Sequence, residues 1–167
     1  MAAMKILTLV RHGKSSWNDT HLSDRDRPLN KRGKRDAPVM GKRMVEHGIR
    51  PSLIISSPAK RAWSTAKLIA AEISYPIEFL QREDSLYHAS LNEILGVIVA
   101  QDNRFNNMMI VGHNPGMTDF ANFLSPGLTN NLPTAGVVSV QIEQDDWNLY
   151  EQPGTELSVY DYPKKGI

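Results

Sequence analysis

The chain has 167 residues, 41% of them hydrophobic and 22% charged, an ordinary globular composition that excludes a disordered, collagenous or coiled-coil protein. It contains no cysteine, so a disulfide framework, a thiolate metal site and a cysteine nucleophile are all excluded. The net charge of +1 conceals an asymmetry: residues 1–50 carry twelve Lys/Arg against five Asp/Glu, and the remainder carries seven against thirteen. A basic first third fits either an anionic ligand or one solvated helix.

No apolar run approaches the roughly 18 residues of a membrane span. The run Ile6-Leu7-Thr8-Leu9-Val10 meets Arg11 too early for a secretory signal. The expectation is a soluble, cytoplasmic protein without membrane contact. No repeat, linker or low-complexity tract divides the chain, so one domain over residues 1–167 is expected.

Residues 4–10 read as a buried strand. A polar loop over 11–30 follows. A helix is expected over 31–47, capped by Asn30 and kinked or broken at Pro38, whose ring removes an interior hydrogen bond. Residues 52–56 read as a second strand. Ser57 and Pro58 read as cap and first position of a helix over 58–72. A short strand is expected at 77–80 and a helix at 90–101, with Leu91, Ile94, Leu95 and Ile98 on one face. Residues 107–111 read as a third buried strand, Asn114-Pro115 opens a helix to about 124, and strands near 136–142 and 156–161 finish the chain. Strands alternating with helices imply a three-layer α/β/α sandwich on a mostly parallel sheet.

Ligands of such sheets bind beyond the carboxyl ends of the strands. Three of those ends carry chemistry. The first strand ends in Arg11-His12-Gly13, the second leads to Arg61 inside a helix, and the third ends in Gly112-His113-Asn114-Pro115. Arginine matches phosphate geometry and keeps its charge. Histidine beside phosphate serves as nucleophile or acid.

These residues also carry a resemblance. Leu9-Val10-Arg11-His12-Gly13, continued by Ser15 and Asn18, resembles the RHGxSxxN signature of the histidine phosphatase superfamily, also called phosphoglycerate-mutase-like. Ser56-Ser57-Pro58-Ala59-Lys60-Arg61-Ala62-Trp63-Ser64-Thr65-Ala66 resembles its SSPxxRAxxTA block. Val111-Gly112-His113-Asn114-Pro115-Gly116 resembles its second-histidine block, and Arg27-Pro28-Leu29-Asn30-Lys31-Arg32-Gly33 its PLTxxG stretch. The four blocks stand in family order. The short chain, the run His12-Gly13-Lys14-Ser15-Ser16-Trp17, Leu86-Tyr87 and Pro133-Thr134-Ala135-Gly136 are most similar to the SixA-type phosphohistidine phosphatases. There is little room between Ala71 and Leu91 for the helical insertion that roofs larger members.

The resemblance implies a metal-independent, cofactor-free phosphohydrolase. His12 would be the nucleophile, with Arg11, Arg61 and His113 completing the phosphate pocket, and Ser15 and Asn18 as secondary contacts. It implies a general acid between the Arg61 block and His113. Glu83 is the first candidate and Asp84 the second, with Asp19 and Asp24 weaker alternatives. The substrate would be a phosphohistidine protein or, alternatively, a small phosphate ester. A catalytically silent phosphoprotein-binding module is the third reading.

Competing motifs are weak. Gly13-Lys14-Ser15 mimics the end of a P-loop, but Thr8 stands where its first glycine belongs. The basic residues Lys31, Arg32, Lys34, Arg35, Lys42 and Arg43 lack interleaved aromatics for nucleic acid. They read as a solvated face or as a rim that steers acidic phosphoproteins. His21, His47 and His88 have no metal-ligand spacing and read as surface or satisfied structural histidines.

Overall fold

A computed structural model describes residues 4–166. The outermost residues of the expected 1–167 domain therefore lie outside the described ones. In chain order the elements are β1 (Met4–Arg11), α1 (Lys31–Glu46), β2 (Leu53–Ser56), α2 (Lys60–Glu72), β3 (Gln81–Arg82), α3 (Leu91–Val99), β4 (Asn107–Gly112), α4 (Gly116–Leu124), β5 (Val137–Glu143) and β6 (Thr155–Asp161). The six strands form one sheet in the order β3-β2-β4-β1-β5-β6. The pairs β3–β2, β2–β4 and β4–β1 are parallel, while β1–β5 and β5–β6 are antiparallel.

The strand period of two separates two cores. Leu7, Leu9, Met108 and Ile110 point to the face covered by α3 and α4, where Ile94, Ile98, Met117 and Phe120 meet them. Val10, Met109 and Val111 point to the other face, against Met40 and Met44 of α1 and Ala62, Ala66 and Ile69 of α2. The fold is thus an α/β/α sandwich.

Local chemistry accounts for most element ends. The Asn30 side chain accepts from Gly33 N–H at 2.9 Å and starts α1. Ser90 and Glu93 form a reciprocal capping box at the start of α3. Among the described residues no helix is long and apolar enough to cross a membrane.

Three local expectations differ from the structure. Helix α1 runs unbroken through Pro38. The carbonyl that Pro38 deprives of a partner belongs to exposed Lys34, and the buried Ala37, Met40 and Met44 hold the helix on both sides of the proline. Residues 77–79 form a 3₁₀ turn rather than a strand; only Gln81 and Arg82 reach β2 to pair. Ser57 does not cap α2, whose N-cap is Ala59.

Candidate active site

Strands β2, β4 and β1 are neighbours and parallel, so the segments after Ser56, Gly112 and Arg11 leave the same edge of the sheet side by side. Because β5 runs antiparallel to β1, the 132–136 loop that feeds it enters at that edge too. A cavity of about 270 Å3 opens there, lined by Arg11, His12, Ser15, Arg61 and His113 among others. Five of the seven site residues expected from the sequence are thereby gathered at one place.

The loop after β1 reaches the cavity because it can lie against α1. A Cβ on Gly33 would stand 2.3 Å from the Lys14 carbonyl oxygen, so only glycine permits the contact. Gly13 N–H donates to Thr65 Oγ1 at 3.0 Å, and that hydroxyl donates to the Arg61 carbonyl at 2.8 Å. The first strand end and the α2 arginine are therefore fixed to one another.

His12 Nδ1 lies 2.7 Å from the Gly13 carbonyl oxygen. A carbonyl only accepts, so Nδ1 carries the proton and Nε2 keeps a lone pair. Burial, together with Arg61, Arg11 and Arg27 nearby, lowers the His12 pKa to about 4 against the pull of that carbonyl. His12 is neutral at pH 7. The second imidazole stands with its centroid 5.1 Å away. His113 Nδ1 faces an Arg61 N–H at 3.5 Å, so its Nε2–H donates to Ser57 Oγ at 2.7 Å. Burial, with His12 and Arg61 beside it, lowers the His113 pKa to about 2.

Three guanidinium groups surround these rings, one more than the sequence suggested. Arg11 donates to the Leu132 carbonyl at 2.9 Å, and Arg61 to the Asp24 carbonyl at 2.6 Å. Arg27, 9% exposed, lies 3.5 Å from the Trp17 ring centroid and pairs with Asp24 at 2.9 Å. In all three the Nε is buried and has no hydrogen-bond partner among the described residues. Buried donors are almost always satisfied. Three orphan N–H groups around one small cavity suit a polyvalent oxyanion such as a phosphoryl group.

The expected carboxylates are arranged differently. Glu83 does not line the cavity. It caps a 3₁₀ turn by accepting from Ser85 Oγ at 2.7 Å, because its own N–H extends the β2–β3 ladder to the Ser56 carbonyl and turns the side chain into solvent. Asp84 is exposed and pairs with Arg25 at 3.3 Å. Asp19 accepts from His21 N–H. Asn18 is exposed and outside the cavity.

Asp24, one of the two weaker carboxylate candidates, lines the cavity. Its Oδ2 accepts from Arg61 at 3.0 Å, Tyr87 OH at 2.5 Å and His88 Nε2–H at 2.9 Å. Burial pulls its pKa up, but these donors prevail and hold it well below the usual carboxylate range. His88 is no ordinary surface histidine: it lines the cavity, with its ring centroid 5.0 Å from that of His113. His47 is the satisfied structural histidine expected, 3.1 Å from Asp161.

The family model of the histidine phosphatase superfamily, branch 1, matches residues 7–84. An uncharacterized chloroplastic protein of Arabidopsis thaliana is 31% identical over 151 residues, which cover 84% of this chain and 68% of its own. The solved SixA protein of Agrobacterium tumefaciens, assigned as a phosphohistidine phosphatase, is 26% identical with a TM-score of 0.79, over 95% of this chain and 98% of that one. The chain belongs to the histidine phosphatase superfamily. A 2,3-bisphosphoglycerate-dependent phosphoglycerate mutase of Bradyrhizobium is 35% identical over 74 residues, 43% of this chain but only 36% of the mutase. The superfamily assignment and the SixA-like fold support phosphatase activity.

Proposed function

We propose that residues 1–167 form one phosphatase domain that works through a phosphohistidine intermediate on His12, without metal or cofactor, and that its substrate is a phosphohistidine on another protein. One observation carries the mechanism: a neutral His12 with its Nε2 lone pair uncommitted, inside a ring of three arginines whose Nε–H groups are unspent. Phosphoryl transfer requires mainly positioning and charge stabilisation over the equatorial oxygens. Arg11, Arg27 and Arg61 supply the charge, and His113, with Ser15, completes the wall. His12 Nε2 attacks phosphorus while Nδ1–H stays on the Gly13 carbonyl. Water then attacks the phosphohistidine, and the lone pair returns to Nε2. Among the described residues no group of three or more His, Asp or Glu is gathered as a metal site.

The protein substrate is supported by the open approach to the cavity. Between α2 and α3 the chain makes only 3₁₀ turns and the two-residue β3, so that interval sends no α-helix over the site. The likeness to the Agrobacterium SixA protein points the same way. A small phosphate ester is the second reading, favoured by the match of 43% of the chain to a phosphoglycerate mutase.

The test combines trapping and a substrate panel. Brief incubation with a labelled phosphohistidine protein should leave acid-labile, base-stable phosphate on His12. His12→Ala should lose turnover by many orders of magnitude. Vanadate should inhibit, and a chelator should not. The kcat/KM should be highest for the phosphohistidine protein; a higher value for a sugar phosphate would select the second reading. Label on any other residue would overturn the mechanism.

A further inference from the structure

We propose that His88 is a catalytic residue of this site: it gives a proton to the leaving group and later takes one from the attacking water, with Asp24 as the positioning residue that orients it. The proposal rests on the phosphatase reading above and deepens it.

A departing alkoxide or imidazole needs a proton at the cavity mouth. The carboxylates that the sequence offers, Glu83 and Asp84, are committed elsewhere in solvent. Asp24 is present, but four donors (Arg27, Arg61, Tyr87 and His88) converge on its two oxygens. An anion so held is a poor acid and a good anchor. His12 is taken by the transferred group, and both nitrogens of His113 are engaged. His88 remains. Its Nε2–H is fixed on Asp24 Oδ2, its Nδ1 has no partner among the described residues, and its side chain is 51% exposed, so it can exchange protons with solvent between turnovers.

The backbone holds this ring in place. His88 has φ +51°, in the left-handed region that a β-substituted residue rarely adopts. Its neighbour Ala89 is locked against α4, where a Cβ on Gly116 would stand 2.0 Å from the Ala89 carbonyl oxygen. The Tyr87 ring packs against the imidazole at 4.2 Å, and Arg25 lies over the far ring at 5.7 Å. The charged groups that face His88 are Asp24 on its Nε2 side, Arg61 and Arg27, which share that carboxylate, and Arg25 over the Tyr87 ring.

The proton count closes over the cycle. In the first step the bond from phosphorus to the leaving atom breaks, phosphorus joins His12 Nε2, and protonated His88 passes its Nδ1 proton to the leaving group. In the second, His88 takes a proton from water, the hydroxide joins phosphorus, and the P–N bond returns its electron pair to His12 Nε2. Hydrogen phosphate leaves and His88 is protonated again.

The variant of choice is His88→Asn, because asparagine tolerates the left-handed backbone but cannot supply the proton. The readout is kcat/KM, which reports the chemistry of the first transfer, on glycerol phosphate and on para-nitrophenyl phosphate. Loss of a positioned acid costs about 10²–10⁴. The expected result is a fall of about 10²-fold or more on the alkyl ester, little change on the aryl ester, and disappearance of the alkaline limb of the alkyl pH profile. Asp24→Asn should move that limb rather than remove it. A loss of equal size on both esters, no loss on the alkyl ester, or an unchanged alkaline limb would overturn the proposal while the phosphatase reading stands. Absence of any phosphate release by the unaltered chain would overturn both.

Discussion

Two histidine–carboxylate pairs in this protein look alike and are used differently. His88 meets Asp24 at 2.9 Å and His47 meets Asp161 at 3.1 Å, and each aspartate also receives an arginine, Arg61 at 3.0 Å and Arg43 at 3.3 Å. In the second pair, among the described residues, no buried side-chain nitrogen is left without a partner. Arg43 also gives its protons to the carbonyls of Tyr162 and Pro163, at 2.8 and 3.1 Å, and Asp161 takes the Tyr162 N–H at 2.8 Å. That cluster ties the end of α1 to the end of β6. In the first pair donors are left over: Arg61 and Arg27 keep buried, unpartnered Nε–H groups on a cavity. The dyad itself does not mark a functional site. Unspent hydrogen-bonding capacity beside it does.

The largest effect that would test this contrast comes from Arg61. Its guanidinium is 2% exposed and holds the Asp24 segment through both a carbonyl and a carboxylate. Arg61→Ala removes a charge-assisted contact to the transferred group of roughly 3–4 kcal/mol, and kcat/KM should fall about 10²–10³-fold on every phosphorylated substrate. A loss confined to one leaving-group class would show that Arg61 acts on the leaving group instead, and the contrast between the two arginine clusters would fail.

The next effect separates the cavity histidines by acid. Burial depresses His12 to about 4 and His113 to about 2, whereas an unfolded histidine titrates near 6.5. Below that value the unfolded chain binds protons that the folded chain refuses. Stability is therefore complete above about pH 6.5 and is lost as pH falls toward 4, by at most about 1.4 kcal/mol per pH unit for each ring. Urea unfolding at pH 7.5 and pH 5 should differ by about 2–4 kcal/mol. The double variant His12→Gln/His113→Gln should lose most of that difference. An identical pH dependence in the double variant would show that the two rings are not the source.

The parts of this site legible in sequence were those fixed by strand ends. Arg11, His12 and His113 follow apolar runs that could only be buried strands, and Arg61 lies on the first turn of the helix after another such run. The missing parts were placed by long-range contact. Asp24 reaches Arg61 across 37 positions and His88 across 64, a meeting that no local pattern encodes. Two signals pointed to it without being decisive: the run Ser23-Asp24-Arg25-Asp26-Arg27 just before the PLTxxG-like block, and Leu86-Tyr87-His88 in the interval assigned to the acid. Glu83 failed because a carboxylate ahead of a serine is equally a turn cap, the role it takes here. Ser57 was read as a cap from the proline after it, yet its hydroxyl accepts from His113. The residues at 77–80 looked like a strand because they are apolar, but strand formation needs a neighbour to pair with, and that begins only at Gln81.

The smallest predicted effect is the sharpest control on the two dyads. His47 has a 39% exposed side chain, and removing it leaves Asp161 still bonded by Arg43 and the Tyr162 N–H. An exposed ion pair of this kind contributes about 0–1 kcal/mol, so His47→Gln should lower stability by less than about 1 kcal/mol, read from the midpoint of urea unfolding. Neither His47 nor Asp161 lines the cavity that holds His12. The variant should therefore keep its full kcat/KM on alkyl and aryl phosphates, and its pH–rate profile should overlay that of the unaltered chain. His88→Asn, which breaks the sister dyad, should do the reverse, with an equally small change in stability and a large change in the alkyl profile. If His47→Gln altered the profile as well, proton traffic would extend beyond the cavity, and the distinction between a spent and an unspent hydrogen-bond cluster would not hold in this fold.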